Sequence, residues 1–136
     1  MVMKRHSNGF TLIELMVTVA VIAIISSVAY PSYTRYMARM HRAQAQSYLM
    51  QVAQRQHQYF LDSREYAAQS AILALEPVPA DVAAQYTVSV GPATPTTPPT
   101  FLATAIPRAG SAQAAQHEAT LSIAQDGKRT PSGVWQ

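Results

Sequence analysis

The stretch GFTLIELMVTVAVIAIISSVAYP, from Gly9 to Pro31, decides the fold of this chain. The 21 residues from Phe10 to Tyr30 include one formal charge, Glu14. As a helix they would be about 31 Å long, which matches the hydrocarbon core of a bilayer. Because an isolated strand in lipid leaves its backbone hydrogen bonds unmade, the spanning form must be helical. The sequence therefore predicts a membrane-spanning helix over residues 10–30.

Glu14 is the unusual residue of this helix, because a carboxylate deep in a bilayer costs roughly 2.5–3.5 kcal/mol. In an ordinary single-span anchor, such a side chain would snorkel toward the helix end. A secretory signal peptide is a second interpretation, since the basic stretch MVMKRHSNG precedes the apolar run. The run is longer than the usual signal core, and SSVAYPSY offers only a marginal cleavage site. The residues alone leave both interpretations open.

The motif GFTLIEL, with a short basic leader before it and Pro31 closing the apolar run, resembles the prepilin signature of type IV pilins and type II secretion pseudopilins. The resemblance implies a leader peptide at residues 1–9, cut by prepilin peptidase between Gly9 and Phe10, and N-methylation of Phe10. Cutting there creates an ammonium one helical turn from Glu14, with the opposite charge. The resemblance therefore implies that Glu14 acts in subunit assembly, by pairing with Phe10 of a neighbouring subunit.

Charge counting and the resemblance disagree about orientation. Arg35, Arg39 and Arg42 follow the span, and the positive-inside rule would place them in the cytoplasm. Leader removal instead requires Lys4 and Arg5 on the cytoplasmic side. The resemblance thus implies a single-pass protein of the bacterial inner membrane with a periplasmic C-terminus, which joins a cell-surface pilus after assembly. The partners that it implies are other pilin subunits, prepilin peptidase, the inner-membrane assembly platform and, before assembly, membrane lipid.

The helical pattern continues beyond Pro31, so this proline is expected to kink the helix rather than end it. Neither glycine nor proline occurs from residue 32 to 63, and apolar residues recur at three- and four-residue steps. We expect one helix from about Phe10 to about Leu61, amphipathic over residues 31–61. Its apolar stripe begins with Tyr33, Tyr36, Met37 and Met40.

Residues 62–136 are expected to form a head domain of loops and sheet. Alternating patterns in QYTVSV, TFLATAI and ATLSIAQ predict strands, and Asp126-Gly127 predicts a hairpin between SIAQ and KRTP. A helical turn is expected around Ser70 to Leu75, and GPATPTTPPT is expected to be an exposed extended loop. The predicted fold is α+β, the pilin fold, with an antiparallel sheet of three or four strands covering the amphipathic half of the helix.

The absence of cysteine and the positions of the histidines limit the chemistry that the chain could perform. The chain has no cysteine, which excludes disulfides and thiolate sites. His41, His57 and His117 are scattered, and neither a glycine-rich phosphate loop nor a nucleophile elbow occurs. We therefore expect no enzymatic activity, no cofactor and no metal site. Many pilins close their C-terminal region with a disulfide, so here packing of Val134 and Trp135 must contribute instead.

Two basic clusters are candidate contacts for DNA or for other subunits. The first contains Arg35, Arg39 and Arg42, and the second contains Lys128 and Arg129. Some minor pilins bind DNA through such tracks, which would neutralise phosphates. The alternative is a solvated helix face or a set of inter-subunit salt bridges. Formal net charge is +3, so only local clusters argue for nucleic acid.

Taken together, the chain most resembles a small minor pilin, assembled into or priming surface filaments for motility, adhesion or DNA uptake. Alternatives are a type II secretion pseudopilin and a DNA-binding minor pilin of the competence machinery. One departure from the family concerns Ala23, where members commonly have glycine midway along the apolar run. Alanine favours helix by nearly 1 kcal/mol over glycine, which disfavours local melting of the helix and a role as the bulk subunit.

Overall fold

The computed structural model describes residues 9–91 and 98–135. The leader up to residue 8 and most of the predicted proline- and threonine-rich loop lie outside these residues. In chain order the elements are α1 (Leu12–Ser63), α2 (Gln69–Leu75), α3 (Ala80–Gln85), β1 (Tyr86–Gly91), β2 (Leu102–Pro107), α4 (Ala112–Ala115), β3 (Leu121–Ala124) and β4 (Arg129–Thr130). The chain divides into two compact units, residues 1–36 and residues 37–136.

Helix α1 confirms the predicted long helix, with both ends two residues later than expected. It has 52 residues and includes Pro31. The Pro31 carbonyl accepts hydrogen bonds from Thr34 Oγ1 and Arg35 Nε, each at 3.1 Å. Thr18 and Ser27 likewise donate their hydroxyls to helix carbonyls, so these polar side chains make their hydrogen bonds locally.

The sheet has four antiparallel strands in the order β1-β2-β3-β4. This confirms the predicted architecture, including the hairpin at Asp126-Gly127. Gly127 has a φ of 77°, which favours glycine, and the Gly127 amide donates to the Ala124 carbonyl at 3.0 Å. The turn brings Arg129 opposite Ile123 and Thr130 opposite Ser122. Two short helices, α3 and α4, were not predicted.

The core of the second unit lies between α1 and the sheet. Leu49 and Val52 of α1 are fully buried, as are Ala103 and Leu121 of the strands. Alternation decides which strand residues enter this core, because successive side chains point to opposite faces. Val134 and Trp135 pack against it, as expected.

Buried glutamines tie the loops of this unit to α1. Gln113 Nε2 donates to the Ala38 carbonyl at 2.9 Å, and Gln46 Nε2 donates to the Val134 carbonyl at 2.8 Å. Gln56 hydrogen-bonds with both backbone groups of Ala67. In a chain that cannot form disulfides, these side chains fix segments that are far apart in sequence.

The predicted apolar stripe after Pro31 needs a correction. Tyr33, Tyr36 and Met40 are exposed, whereas the buried residues of α1 begin with Ala38 and continue with Ala45. Spacing of the large apolar residues alone gave the wrong face, because the small side chains of Ala38 and Ala45 lie on the buried face of α1.

Candidate assembly and nucleic-acid interfaces

The start of α1 has a capping arrangement that includes Glu14. Thr11 precedes the helix, and its Oγ1 accepts a hydrogen bond from the Glu14 amide at 3.3 Å. Thr11 and Glu14 are spaced as in a capping box, in which the carboxylate also stands near the positive end of the helix dipole. The sequence TLIE carries this capping signal. The start of the helix therefore stabilises the Glu14 carboxylate, in addition to any ion pair that it forms with an ammonium.

Gly9, Phe10 and the apolar part of α1 are exposed in the isolated chain. Phe10 is 78% exposed, and none of the most apolar window of α1 is buried. The helix is long and apolar enough to cross a membrane. Such a continuous apolar surface must be covered by lipid or by other protein.

The structure distinguishes Arg42 from the other two arginines of the first basic cluster, because Arg42 forms an ion pair. Arg42 forms a two-pronged ion pair with Glu118, in which Arg42 Nε donates to Glu118 Oε2 at 2.7 Å. Arg35 and Arg39 are exposed. Arg55, which the sequence analysis did not single out, is paired with Glu76 at 3.3 Å. Arg42 is therefore already neutralised within the chain, whereas Arg35 and Arg39 face solvent.

The second basic cluster, Lys128 and Arg129, lies on the exposed β3–β4 hairpin. The Arg129 guanidinium is 5.5 Å from the centroid of the Trp135 ring. Trp135 is held in turn, because its Nε1 donates to the Thr130 carbonyl at 3.1 Å. Among the described residues, no carboxylate forms a salt bridge with either cation. The hairpin thus presents two available positive charges beside an ordered aromatic ring.

A cleft of about 200 Å³ lies between this hairpin and α1. Its lining includes Met50, Gln54, His57, Ile123, Gly127 and Arg129. His57 is exposed, and its ring stands edge-on to Phe101 with 5.8 Å between centroids. Gln54 and His57 offer hydrogen-bond donors and acceptors next to the Arg129 charge. Sequence reasoning found the hairpin cations but not these cleft residues, since they are more than 70 residues away along the chain.

The aromatic residues at the end of α1 pack on one another and on the core of the head. Tyr66 stacks on Phe60 and meets Phe101 edge-to-face, both at 4.8 Å between centroids. Tyr59 packs against the core. These rings hold the loop after α1 on the helix, close to the cleft.

Two buried tyrosines have strongly shifted acidities. Burial, helped by the nearby Glu76 carboxylate, raises the pKa of Tyr48 to about 12. Burial also raises the pKa of Tyr86 to about 12, with Glu118 adding to the shift and Arg42 opposing it. Both phenols are therefore neutral at physiological pH, and neither can serve as a base. Among the described residues, no three acidic, histidine or cysteine side chains converge as a metal site.

Comparisons with known proteins give two family matches. Residues 31–120 match the family described as "Type IV minor pilin ComP, DNA uptake sequence receptor", and residues 4–30 match the prokaryotic N-terminal methylation motif. A type IV pilin structure from Shewanella oneidensis is 23% identical, with a TM-score of 0.53, over 70% of this chain and 92% of that chain. This likeness confirms the predicted fold.

Curated relatives are similar mainly to part of the chain. The type IV major pilin protein PilA of Myxococcus xanthus is 34% identical over 46% of this chain and 28% of that protein. The major fimbrial protein FimA of Dichelobacter nodosus is 40% identical over 46% and 40%, respectively. The wide pilus major component PilA4 of Thermus thermophilus is 33% identical over 57% and 62%. The chain thus spans between about a quarter and three fifths of these relatives.

Proposed function

We propose, because this chain belongs to the family of the type IV minor pilin ComP, DNA uptake sequence receptor, that it is a filament subunit whose head binds duplex DNA during uptake. The family match over residues 31–120 is the observation that carries this proposal. It favours a minor pilin that binds DNA over a type II secretion pseudopilin. The role is one of structure and binding rather than catalysis.

For assembly, prepilin peptidase would cut between Gly9 and Phe10 and leave an N-methylated ammonium on Phe10. The match of residues 4–30 to the methylation motif supports this step. The new ammonium would lie beside the positive end of α1, where a like charge is unfavourable. Glu14 of a neighbouring subunit would compensate it in the apolar filament core. Before assembly, the protein would be anchored in the inner membrane with its head in the periplasm. The assembly platform would then extract it.

Glu14→Gln tests this pairing, because the amide keeps the shape and loses the charge. The variant should be inserted and processed normally, but its incorporation into filaments should fall at least about tenfold, since an unpaired buried charge costs several kcal/mol. Mass spectrometry would compare the peptide beginning at methylated Phe10 in sheared filaments and in membranes. Glu65→Gln, an exposed acid in the head, is the matched control. Normal incorporation of Glu14→Gln would contradict the pairing.

For DNA binding, the hairpin offers the best described surface. Lys128 and Arg129 are available for phosphates, and the Trp135 ring lies beside the Arg129 guanidinium. A guanidinium already held by this contact would lose less entropy on binding. Gln54 and His57 in the adjacent cleft could then reach base edges, where amide and imidazole groups read sequence. Phosphate contacts would position the duplex, and the cleft would provide selectivity.

The exposed helix track, Arg35 and Arg39, is the competing surface for DNA. It lies inside the matched residues 31–120, whereas the hairpin lies outside them. A duplex bound at the hairpin would meet an ordered cation and aromatic pair, which the helix track does not provide among its described contacts. We therefore assign DNA to the hairpin.

The experiment compares paired variants of the full chain in detergent micelles. Lys128→Ala with Arg129→Ala should lower the salt slope of duplex affinity by about 1.8, because each phosphate contact contributes about 0.9. Arg35→Ala with Arg39→Ala, which loses the same charge, should leave the slope unchanged. Selection from a random duplex library should enrich one sequence with wild type, and Gln54→Ala should weaken this enrichment.

If the double variant of Arg35 and Arg39 lowered the salt slope and that of Lys128 and Arg129 did not, the DNA site would lie on the helix instead. If the native chain does not bind duplex DNA, the DNA proposal fails. A methylated Phe10 peptide that occurs in membranes but never in fibres would favour the pseudopilin alternative instead. Assembly and DNA binding are thus tested separately.

A further inference from the structure

The apolar run of α1 ends in a set of exposed tyrosines. Tyr30, Tyr33 and Tyr36 are 72%, 63% and 54% exposed. A tyrosine ring is apolar along its body and polar at its hydroxyl, so it is stable where hydrocarbon gives way to water. Three such rings at the end of a membrane-length segment lie where an interface would be.

Arg35 lies in the same turns, and its side chain is held toward the apolar run. Arg35 Nε donates to the Pro31 carbonyl at 3.1 Å. Helical side chains lean toward the N-terminus, and this bond places the guanidinium about one turn below its own Cα. The positive charge therefore stands level with Pro31, where the apolar run ends. Guanidinium groups bind phosphate oxygens in a bidentate manner.

These four side chains surround the helix. At about 100° per residue, Tyr30, Tyr33 and Tyr36 follow one another at steps of about 60°, and Arg35 falls roughly opposite their middle. Before assembly, a single protein partner or a DNA duplex would cover one side of such a helix. A lipid layer covers every side, which matches this distribution.

We propose that residues 30–36 form an interface belt that binds the phosphate of anionic phospholipids before assembly. The tyrosines set the depth of the helix, and Arg35 selects the headgroup by charge. The belt rests on the membrane anchoring of α1 but not on DNA binding or on the Glu14 pairing. The positive-inside rule alone would place Arg35 on the cytoplasmic side. In the belt, a lipid phosphate is the partner of Arg35 on the periplasmic side.

The test uses the absence of cysteine from the chain. Ser32→Cys, an exposed position inside the belt, carries a fluorophore on the full chain in nanodiscs. Quenching is measured with brominated phosphatidylglycerol or brominated phosphatidylcholine at equal mole fractions. The labelled chain should prefer phosphatidylglycerol about fivefold, the effect of one cation near an anionic surface. Arg35→Gln should abolish this preference, and Arg64→Gln, which removes an exposed head arginine, should retain it.

Tyr33→Ala should reduce quenching by both lipids, and Tyr33→Trp should preserve it, because tryptophan also favours the interface. Equal quenching by the two lipids, or a preference that survives Arg35→Gln, would overturn the headgroup assignment. A label that neither lipid quenches would overturn the belt itself. If added duplex DNA removes the preference for phosphatidylglycerol, Arg35 belongs to a DNA site and the proposal fails.

Discussion

Gln56 provides the sharpest stability prediction, because its side-chain amide makes both backbone hydrogen bonds of Ala67, as a neighbouring strand would. It is fully buried in α1, where Nε2 donates to the Ala67 carbonyl at 2.9 Å and Oε1 accepts from the Ala67 amide at 2.8 Å. Ala67 is itself 8% exposed, so water has little access to these groups. The pair holds the chain after α1 against the helix.

Gln56→Leu keeps the approximate volume but leaves both backbone groups of Ala67 without this partner. A buried group that loses its hydrogen bond costs about 1–3 kcal/mol, so the two together should cost about 2–6 kcal/mol. Gln51→Leu makes the same change at an exposed position of the same helix, and should alter stability by less than about 0.5 kcal/mol.

Urea unfolding of the full chain in micelles measures this difference, with the fluorescence of Trp135 as the signal. Trp135 is the single tryptophan and packs on the core of the head. Both variants should unfold with the same dependence on urea, since the exposed area barely changes. If Gln56→Leu is as stable as Gln51→Leu, the bidentate contact does not hold this segment and the reasoning is refuted.

Three further predictions use the same assay. Tyr48→Phe loses a 2.7 Å hydrogen bond to the Glu76 carbonyl and should cost about 1 kcal/mol, whereas Tyr86→Phe removes a buried hydroxyl without a partner among the described residues and should cost nothing. Because the folded pKa of each phenol is about 12 against an ordinary 10.0, the free energy of unfolding should be unaffected by these groups below pH 10 and should fall as pH rises from 10 toward 12; an unchanged stability there would contradict the shifts. Glu118→Gln leaves the half-buried Arg42 without its ion pair, and should lower the free energy of unfolding by about 1–2 kcal/mol even at high salt. If high salt abolished this cost, the ion pair would behave as an ordinary exposed surface pair and the prediction would be wrong.

Part of the candidate site could be read from the sequence. The signature around Gly9 and Glu14 is local, so the methylation motif was identifiable, and Asp126-Gly127 placed Lys128 and Arg129 on a hairpin. Whether a cation is available could not be read this way. Arg42 and Arg39 look alike in the sequence, yet only Arg42 meets Glu118, 76 residues away.

The sequence by itself determined the long helix, its membrane-length apolar half and the antiparallel strands, because helix and strand periods and turn residues act over a few positions. Only the tertiary structure decided which partners meet. Gln46 reaches Val134 across 88 residues, and His57 lines a cleft with Arg129. Such contacts depend on how α1 and the sheet close on each other, and no local rule specifies that packing. The sequence therefore determined the long helix, its apolar half and the strands, and packing determined which charges are paired within the chain.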